Sequence, residues 1–449
     1  MLDLLAAATV LLTLGVVMAA AKLSSSRLTP EGSRKIIHIL MGCTALTFPY
    51  VFEYRQTVVY LGLATIAALL FMRRNKNLRE GIGTAILGVN RKSLGDIYFV
   101  IAIVLLFIQF HEPFEYLIAI SVLTFADSVA ALVGTSYGRH NMAAHEEESP
   151  KSREGSVMFF VVAFMCSLVP LQLMTEVGRA EVLAISLSIG VLAALIEAVT
   201  RNGNDNLLLP LFTYSFIRYN TDKSTEHLLN NFLWMLLFFA IIYAVYKLTN
   251  ITRLSMAYAL LAAYIFMIQG GTVWVLPAAT LLLSFGILPM MTKDEKSMVQ
   301  TYKVIECNVI VGVICIMAAV FLPQFRELFY LSFSLSFAIH LTINTYSRLV
   351  NFLDMNAAAA VLWGSIKSTL LIALPAFFIT EMHWLTFTIY LLFMGLSLPF
   401  AMELNKKYNY KKTGDETFNA NKILVGALVS VFTIIIFFNE RVVLYDLFR

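Results

Sequence analysis

The sequence predicts an all-α, polytopic integral membrane protein with about fourteen transmembrane helices. Composition is the first observation behind this. Hydrophobic residues make up 59% of the 449-residue chain and charged residues only 14%, whereas soluble domains carry about 25% charged residues. Mean hydropathy is +0.76. The second observation is that apolar runs of roughly 18 residues or more, each long enough to cross the hydrocarbon core, recur from end to end. Lipid offers the backbone no hydrogen-bond partner, so the spans must be helices.

In chain order the first seven runs are Leu2–Ala21, Val58–Met72, Tyr98–Phe110, Tyr116–Thr135, Val157–Met174, Val182–Thr200 and Leu228–Leu248. The remainder are Leu254–Gln269, Val273–Met290, Val304–Leu322, Leu328–Thr345, Ala357–Thr380, Trp384–Met402 and Ile423–Phe438. A shorter apolar segment lies between Ile36 and Phe52. The first run lacks a basic start and a small-residue cleavage site, so it is expected to be a retained helix. Cys43, Cys166, Cys307 and Cys315 stand singly in apolar surroundings, without the spacing of a zinc site. The formal charge of +4 is mild and sits in loops; nucleic acid is not an expected partner.

Loop charge orients the chain. Lys22, Arg27, Arg34 and Lys35 fill one long loop, and Arg73, Arg74, Lys76, Arg79, Arg91 and Lys92 fill another. The positive-inside rule puts both in the cytoplasm. Counting spans onward then places every unusual polar cluster of the first half on that same cytoplasmic face.

Five clusters carry chemistry. In SRKIIHI, Arg34 and Lys35 lie four and three residues from His38, close enough on a helix to share a phosphate or an anionic lipid surface. NRKSLGDIYF, with Arg91, Lys92, Ser93 and Asp96, reads equally as a capped helix entry. In LTFADSVAALVGTSYGRH, Asp127 falls inside a span, where an ionised side chain costs roughly 2.5–3.5 kcal/mol and requires a metal ion, a basic residue or a water-filled cavity. Gly134 and Gly138, followed by Arg139, flank a turn whose backbone could approach phosphate. SPKSREGS supplies Lys151 and then Ser152, Glu154, Gly155 and Ser156 at a helix start, where free N–H groups favour an anion. Finally, Glu197 precedes RNGNDNLLLP, which contains Asp205 and Asn206. Carboxylates and amide oxygens there suit Mg²⁺, which also takes phosphate oxygens. Together they describe a membrane-embedded, cytoplasm-facing site for a polyanion and a bilayer substrate, fitting phosphoryl or nucleotidyl transfer.

In this order and spacing, RKIIH, SLGDIYF, ADSVAALVGTSYGRH, KSREGS and IEAV followed by NGNDNLLLP resemble the dolichol kinase/phytol kinase family. That family includes CTP-dependent diacylglycerol kinases and is related to CDP-diacylglycerol synthases. The resemblance covers about residues 30–215. It implies a phosphotransferase that moves the γ-phosphate of CTP, with Mg²⁺, to an isoprenoid or similar lipid alcohol. It further implies Asp127, Lys151, Glu154 and Asp205 as catalytic groups. Asp127, Glu197, Asp205 and Asn206 are the implied metal ligands. The implied nucleotide contacts are Arg34, Lys35, His38, Gly134, Gly138, Arg139, Lys151, Ser152, Gly155 and Ser156. The runner-up is a phosphatidate cytidylyltransferase, towards which SPKSREG leans; a transporter is a third reading, disfavoured by the one-sided polar motifs.

Residues 1–228 are thus expected to form the catalytic membrane domain and residues 229–449 a second multi-span domain of unassigned role, for example a lipid groove or an oligomer contact. Arg348 and Asp354 are expected to pair across a turn. A bacterial version would sit in the cytoplasmic membrane.

Overall fold

The computed structural model describes residues 2–24, 30–75, 94–138, 151–200, 203–248, 251–286, 302–380 and 384–407, and among these every regular element is a helix. The chain divides into two units, Met1–Phe232 and Leu233–Arg449. Unit 1 holds α1 (Leu2–Ser24), α2 (Pro30–Leu46), α3 (Arg55–Arg74), α4 (Gly95–Gln109), α5 (Pro113–Tyr137), α6 (Arg153–Met174), α7 (Arg179–Val199) and α8 (Asp205–Asn220). The division falls inside α9 (Thr225–Leu248). Unit 2 continues with α10 (Arg253–Gly270), α11 (Thr272–Gly286), α12 (Tyr302–Phe321), α13 (Arg326–Phe352), α14 (Ala357–Ile379) and α15 (Trp384–Lys407).

The expected count of about fourteen spans is not reached among the described residues. Among the described residues eight helices are long and apolar enough to cross a membrane, and five apolar stretches are shorter, at 10–17 residues. α4 has 15 residues, a rise of roughly 22 Å, less than the hydrocarbon core. The segment from Ile36 to Phe52 is broken at Thr47 into α2 and a single turn, Phe48–Val51. The expected span Ile423–Phe438 lies outside the described residues.

A helix that hydropathy passes over stands at the centre of unit 1. α8 contains Thr213, Tyr214, Ser215, Arg218 and Asn220, too polar for a span by composition, yet most of its residues are buried. Asn206 Nδ2 donates to the Gly95 carbonyl at 2.7 Å, and Tyr214 Oη donates to the Gln109 carbonyl at 2.7 Å. α8 therefore runs parallel to α4 along its length. At its far end Arg218 pairs with the buried Glu115 at 3.2 Å. Glu115 also accepts from His111 N and caps α5 reciprocally with Glu112.

The remaining contacts follow from small residues and satisfied polar groups. Asp3 accepts from Glu53 N, Tyr54 N and Thr57 Oγ1, pinning the start of α1 to that of α3. Tyr116 Oη donates to the Ala45 carbonyl, tying α5 to α2. The Phe160 ring of α6 lies over Gly190 of α7. On its other face α6 presents Val157, Val161, Met165, Val169 and Leu173, all exposed at four-residue spacing. This is the lipid-facing stripe of an outer helix.

In unit 2, α13 is the buried axis, with every residue from Leu328 to Asn344 buried. Phe333 and Phe337 of α13 pack against Phe266 of α10 at 4.9 and 5.9 Å between ring centroids. Asp354 forms no ion pair among the described residues, so the expected pair with Arg348 does not form. Asp354 instead occupies the turn after α13 with φ of 48°, a conformation Asp tolerates better than most residues.

A Cβ on Gly42 of α2 would overlap the Thr124 side chain of α5. Gly42→Ala is expected to lower stability by about 1–3 kcal/mol, read as a lower thermal midpoint in detergent. Gly15→Ala, where nothing lies within 4 Å, is the control and should leave the midpoint in place.

Candidate functional site

α5 is not a regular α-helix throughout. A π turn occupies Val122–Ala126, immediately before Asp127. Such turns widen the helix and often mark functional positions. His38 of α2 meets this turn, with Nε2 3.2 Å from the Leu123 carbonyl. A carbonyl only accepts, so Nε2 carries the donated hydrogen. The ring also packs on Phe99 of α4 at 4.9 Å.

Three residues before His38, Lys35 reaches the same place. Its Nζ lies 2.5 Å from Asp127 Oδ2 and 3.3 Å from the Asp127 carbonyl. His38 Nε2 is 3.7 Å from Oδ2. Of the three partners that Asp127 could have required, the structure supplies the basic one. Oδ1 makes no hydrogen bond among the described residues, and the side chain stays 16% exposed. The carboxylate is thus anchored through one oxygen and open through the other.

A second cluster forms where α6 begins and α7 ends. Lys151 Nζ donates to the Glu197 carbonyl and lies 3.1 Å from Glu197 Oε1 and 4.0 Å from Asp205 Oδ2. Ser156 Oγ donates to Glu197 Oε2 at 3.3 Å. Ser152 caps α6, its hydroxyl accepting from Gly155 N at 3.1 Å. A Cβ on Gly134, Gly138 or Gly155 would press on Ser152. These glycines are therefore needed first for the close approach of α5 to α6. Asn206 anchors α8 to α4 through Gly95, and the neighbouring Asp96 pairs with Arg73.

Four of the five sequence clusters consequently reach one end of unit 1 in two groups, and of the charged residues in the fifth only Asp96, paired with Arg73, is described. Lys35 and His38 join Asp127; Lys151 and Ser156 join Glu197 and Asp205. Arg34 precedes Lys35 in α2, and Glu154 stands in the first turn of α6. Arg139, Arg91, Lys92 and Ser93 lie outside the described residues. The four expected metal ligands fall in two groups: Asp127 faces Lys35, whereas Glu197 and Asp205 face Lys151, with Asn206 beside Asp205 donating through Nδ2 to the Gly95 carbonyl. Among the described residues no group of three or more His, Cys, Asp or Glu is placed to hold a metal. Glu197 and Asp205, however, converge on a single cation, the Lys151 ammonium. Mg²⁺ is held by one or two carboxylates plus substrate phosphates, not by an all-protein cage, so this pair fits it.

Reasoning from sequence missed the links across the chain. Lys35 and Asp127 are 92 residues apart, and nothing local marks them as partners. The only signal was the cost of Asp127 itself, which demanded some partner.

Lys151 lies just before α6, outside the spans. Burial works to lower its pKa, but the charges of Glu197 and Asp205, with Asp127 beyond, outweigh this and hold it above the ordinary lysine value of 10.5. The stabilisation from this raised pKa is complete below that value and is lost only as pH rises through the higher folded value. Between pH 7 and 9 Lys151 should remain charged, so stability in that range should not fall on its account. Thermal midpoints across it, compared with those of Lys151→Met, check this. At the other cluster, Lys35→Met strands a buried carboxylate and should cost about 3 kcal/mol or more. Adding Asp127→Asn should recover most of that loss in a double-mutant cycle read by thermal unfolding.

No family model matches the chain, and no solved structure matches it. A curated relative does. A phytol kinase of Synechocystis sp. is 30% identical over 202 residues, a match covering 44% of this chain and 82% of the relative. With that share of the relative aligned, the chain belongs to the phytol kinase family of lipid kinases.

Proposed function

We propose that unit 1 transfers the γ-phosphoryl group of CTP, with Mg²⁺, to the hydroxyl of an isoprenoid alcohol of the phytol or polyprenol kind. The observation that carries this reading is Asp127, a carboxylate inside a membrane span with one oxygen fixed by Lys35 and the other open, at the end of the unit where Lys151, Glu197 and Asp205 gather. An alcohol held in the bilayer and a polyanion from the water phase can meet there. The name of the curated relative supports the acceptor class; CTP as donor follows the motif resemblance.

In this mechanism the hydroxyl oxygen of the acceptor forms a bond to the γ-phosphorus while the bond from that phosphorus to the β,γ-bridging oxygen breaks. The hydroxyl proton passes to Asp127 Oδ1, and CDP departs with the released electron pair. Lys35 and His38 hold Asp127 in place and act as positioning residues. Lys151 and the N–H groups at the start of α6 draw the phosphates in and offset the charge on the leaving oxygen. Glu197 and Asp205 would hold Mg²⁺, which neutralises charge on the β- and γ-phosphates.

The test is turnover of γ-labelled CTP with Mg²⁺ and a panel containing phytol, a polyprenol, diacylglycerol and phosphatidate. Label in phytyl or polyprenyl phosphate, together with CDP, is the expected result. Labelled pyrophosphate formed with phosphatidate would instead identify a cytidylyltransferase. Asp127→Asn should lower kcat by about 100-fold or more, within the range that general bases contribute, while the protein remains folded. Glu197→Gln should raise the Mg²⁺ concentration needed for half-maximal rate, because it removes one anionic ligand. Full activity in both variants would overturn the site.

A further inference from the structure

Unit 2 contains a cavity of about 650 Å³, within the range of small-molecule sites, roughly 300–1,000 Å³. Its walls come from α11, α13 and α14 and are largely apolar, with Leu341, Leu370 and Trp363 among them. Two cationic side chains nevertheless line it, Arg348 of α13 and Lys367 of α14, along with the polar Ser284 and Asn344. Lys367 is the eleventh residue of α14, roughly 15 Å from the helix start, near the middle of a candidate span. Among the described residues it makes no hydrogen bond and no ion pair. An intramembrane lysine that faces a cavity and has no anionic partner among the described residues marks a site for an anion.

The backbone around Lys367 is built to hold it there. Gly364 lets α14 close on the Thr342 carbonyl of α13, and Thr342 Oγ1 donates to Ser368 Oγ at 2.7 Å. This contact fixes the two helices beside Lys367. A π turn, Thr369–Ala373, follows at once and carries Leu370 and Leu371 into the lining. Trp363 and Lys367 are four residues apart on one helical face, so an apolar surface and a positive charge sit one turn apart.

We propose that this cavity binds an anionic amphiphile bearing a phosphate head group, with the phosphate on Arg348 and Lys367 and the chain along Leu341, Trp363 and Leu370. Two cations suit a phosphate monoester better than a carboxylate, because a monoester carries up to two negative charges and three acceptor oxygens. The apolar walls select for an attached hydrocarbon chain. This assignment does not depend on the kinase activity of unit 1.

Dodecyl phosphate, dodecanol, inorganic phosphate and phosphatidate are titrated calorimetrically into the purified full-length protein in a non-ionic detergent. Dodecyl phosphate and phosphatidate should bind. Lys367→Gln should weaken both by roughly tenfold, the scale of one charge-assisted hydrogen bond, and Lys367→Arg should retain them. Ser284→Phe, which narrows the cavity without touching either cation, should also weaken binding; it keeps the test decisive if a charge variant unfolds. Equal affinity for dodecanol would reduce the site to an apolar groove and overturn the proposal. So would equal affinity for inorganic phosphate, or affinities unchanged in Lys367→Gln and Ser284→Phe.

Discussion

A carboxylate inside the membrane is the constraint around which unit 1 is arranged. Asp127 cannot be held ionised in an apolar helix without a counter-charge, and the counter-charge comes from another helix. Lys35 therefore fixes the register of α2 against α5, and His38, one turn further on, fills the π turn before Asp127. Gly42 then follows as a packing requirement, since the side chain of Thr124 occupies the space its Cβ would need. One electrostatic demand thus determines residues over two turns of α2 and a departure from regular helix in α5.

The site end of the unit carries a charge balance suited to polyanion chemistry. Asp127, Glu197 and Asp205 face two lysines, Lys35 and Lys151. Arg34, whose charge also acts on Asp127, brings the described cluster to three cations against three carboxylates, still a poor receptor for a nucleoside triphosphate by itself. A divalent cation makes the balance positive, and Glu197 with Asp205 provides the oxygen donors for one. The two groups also divide naturally between substrates: Asp127 lies within a span, whereas Lys151, Glu197 and Asp205 cluster where helices begin and end. A hydroxyl from lipid and a phosphate chain from water would approach the respective groups without crossing.

The helical membrane character was legible in composition, and the residues that gather at the site stood out because polar side chains are costly in so apolar a chain. Partnerships were not legible. Helical periodicity could place Lys35 beside His38, but only tertiary packing brings either to Asp127. α8 was not legible as a span because hydropathy measures suitability for lipid, whereas α8 meets protein on nearly all sides. The cavity of unit 2 was hidden for a related reason: Arg348 and Lys367 look isolated in sequence and share a wall only once α13 and α14 close through Gly364.

The outer face of α6 has a kinetic consequence. Its stripe from Val157 to Leu173 runs along the bilayer and starts one residue beyond Ser156, which touches Glu197. A long-chain acceptor using this approach keeps its tail among lipids while its hydroxyl surfaces at the reacting end. Encounter is then a two-dimensional event, and the relevant concentration is the mole fraction of the alcohol in the membrane. Such an enzyme obeys surface dilution: inert lipid added at constant total alcohol slows it, although nothing in the aqueous phase has changed.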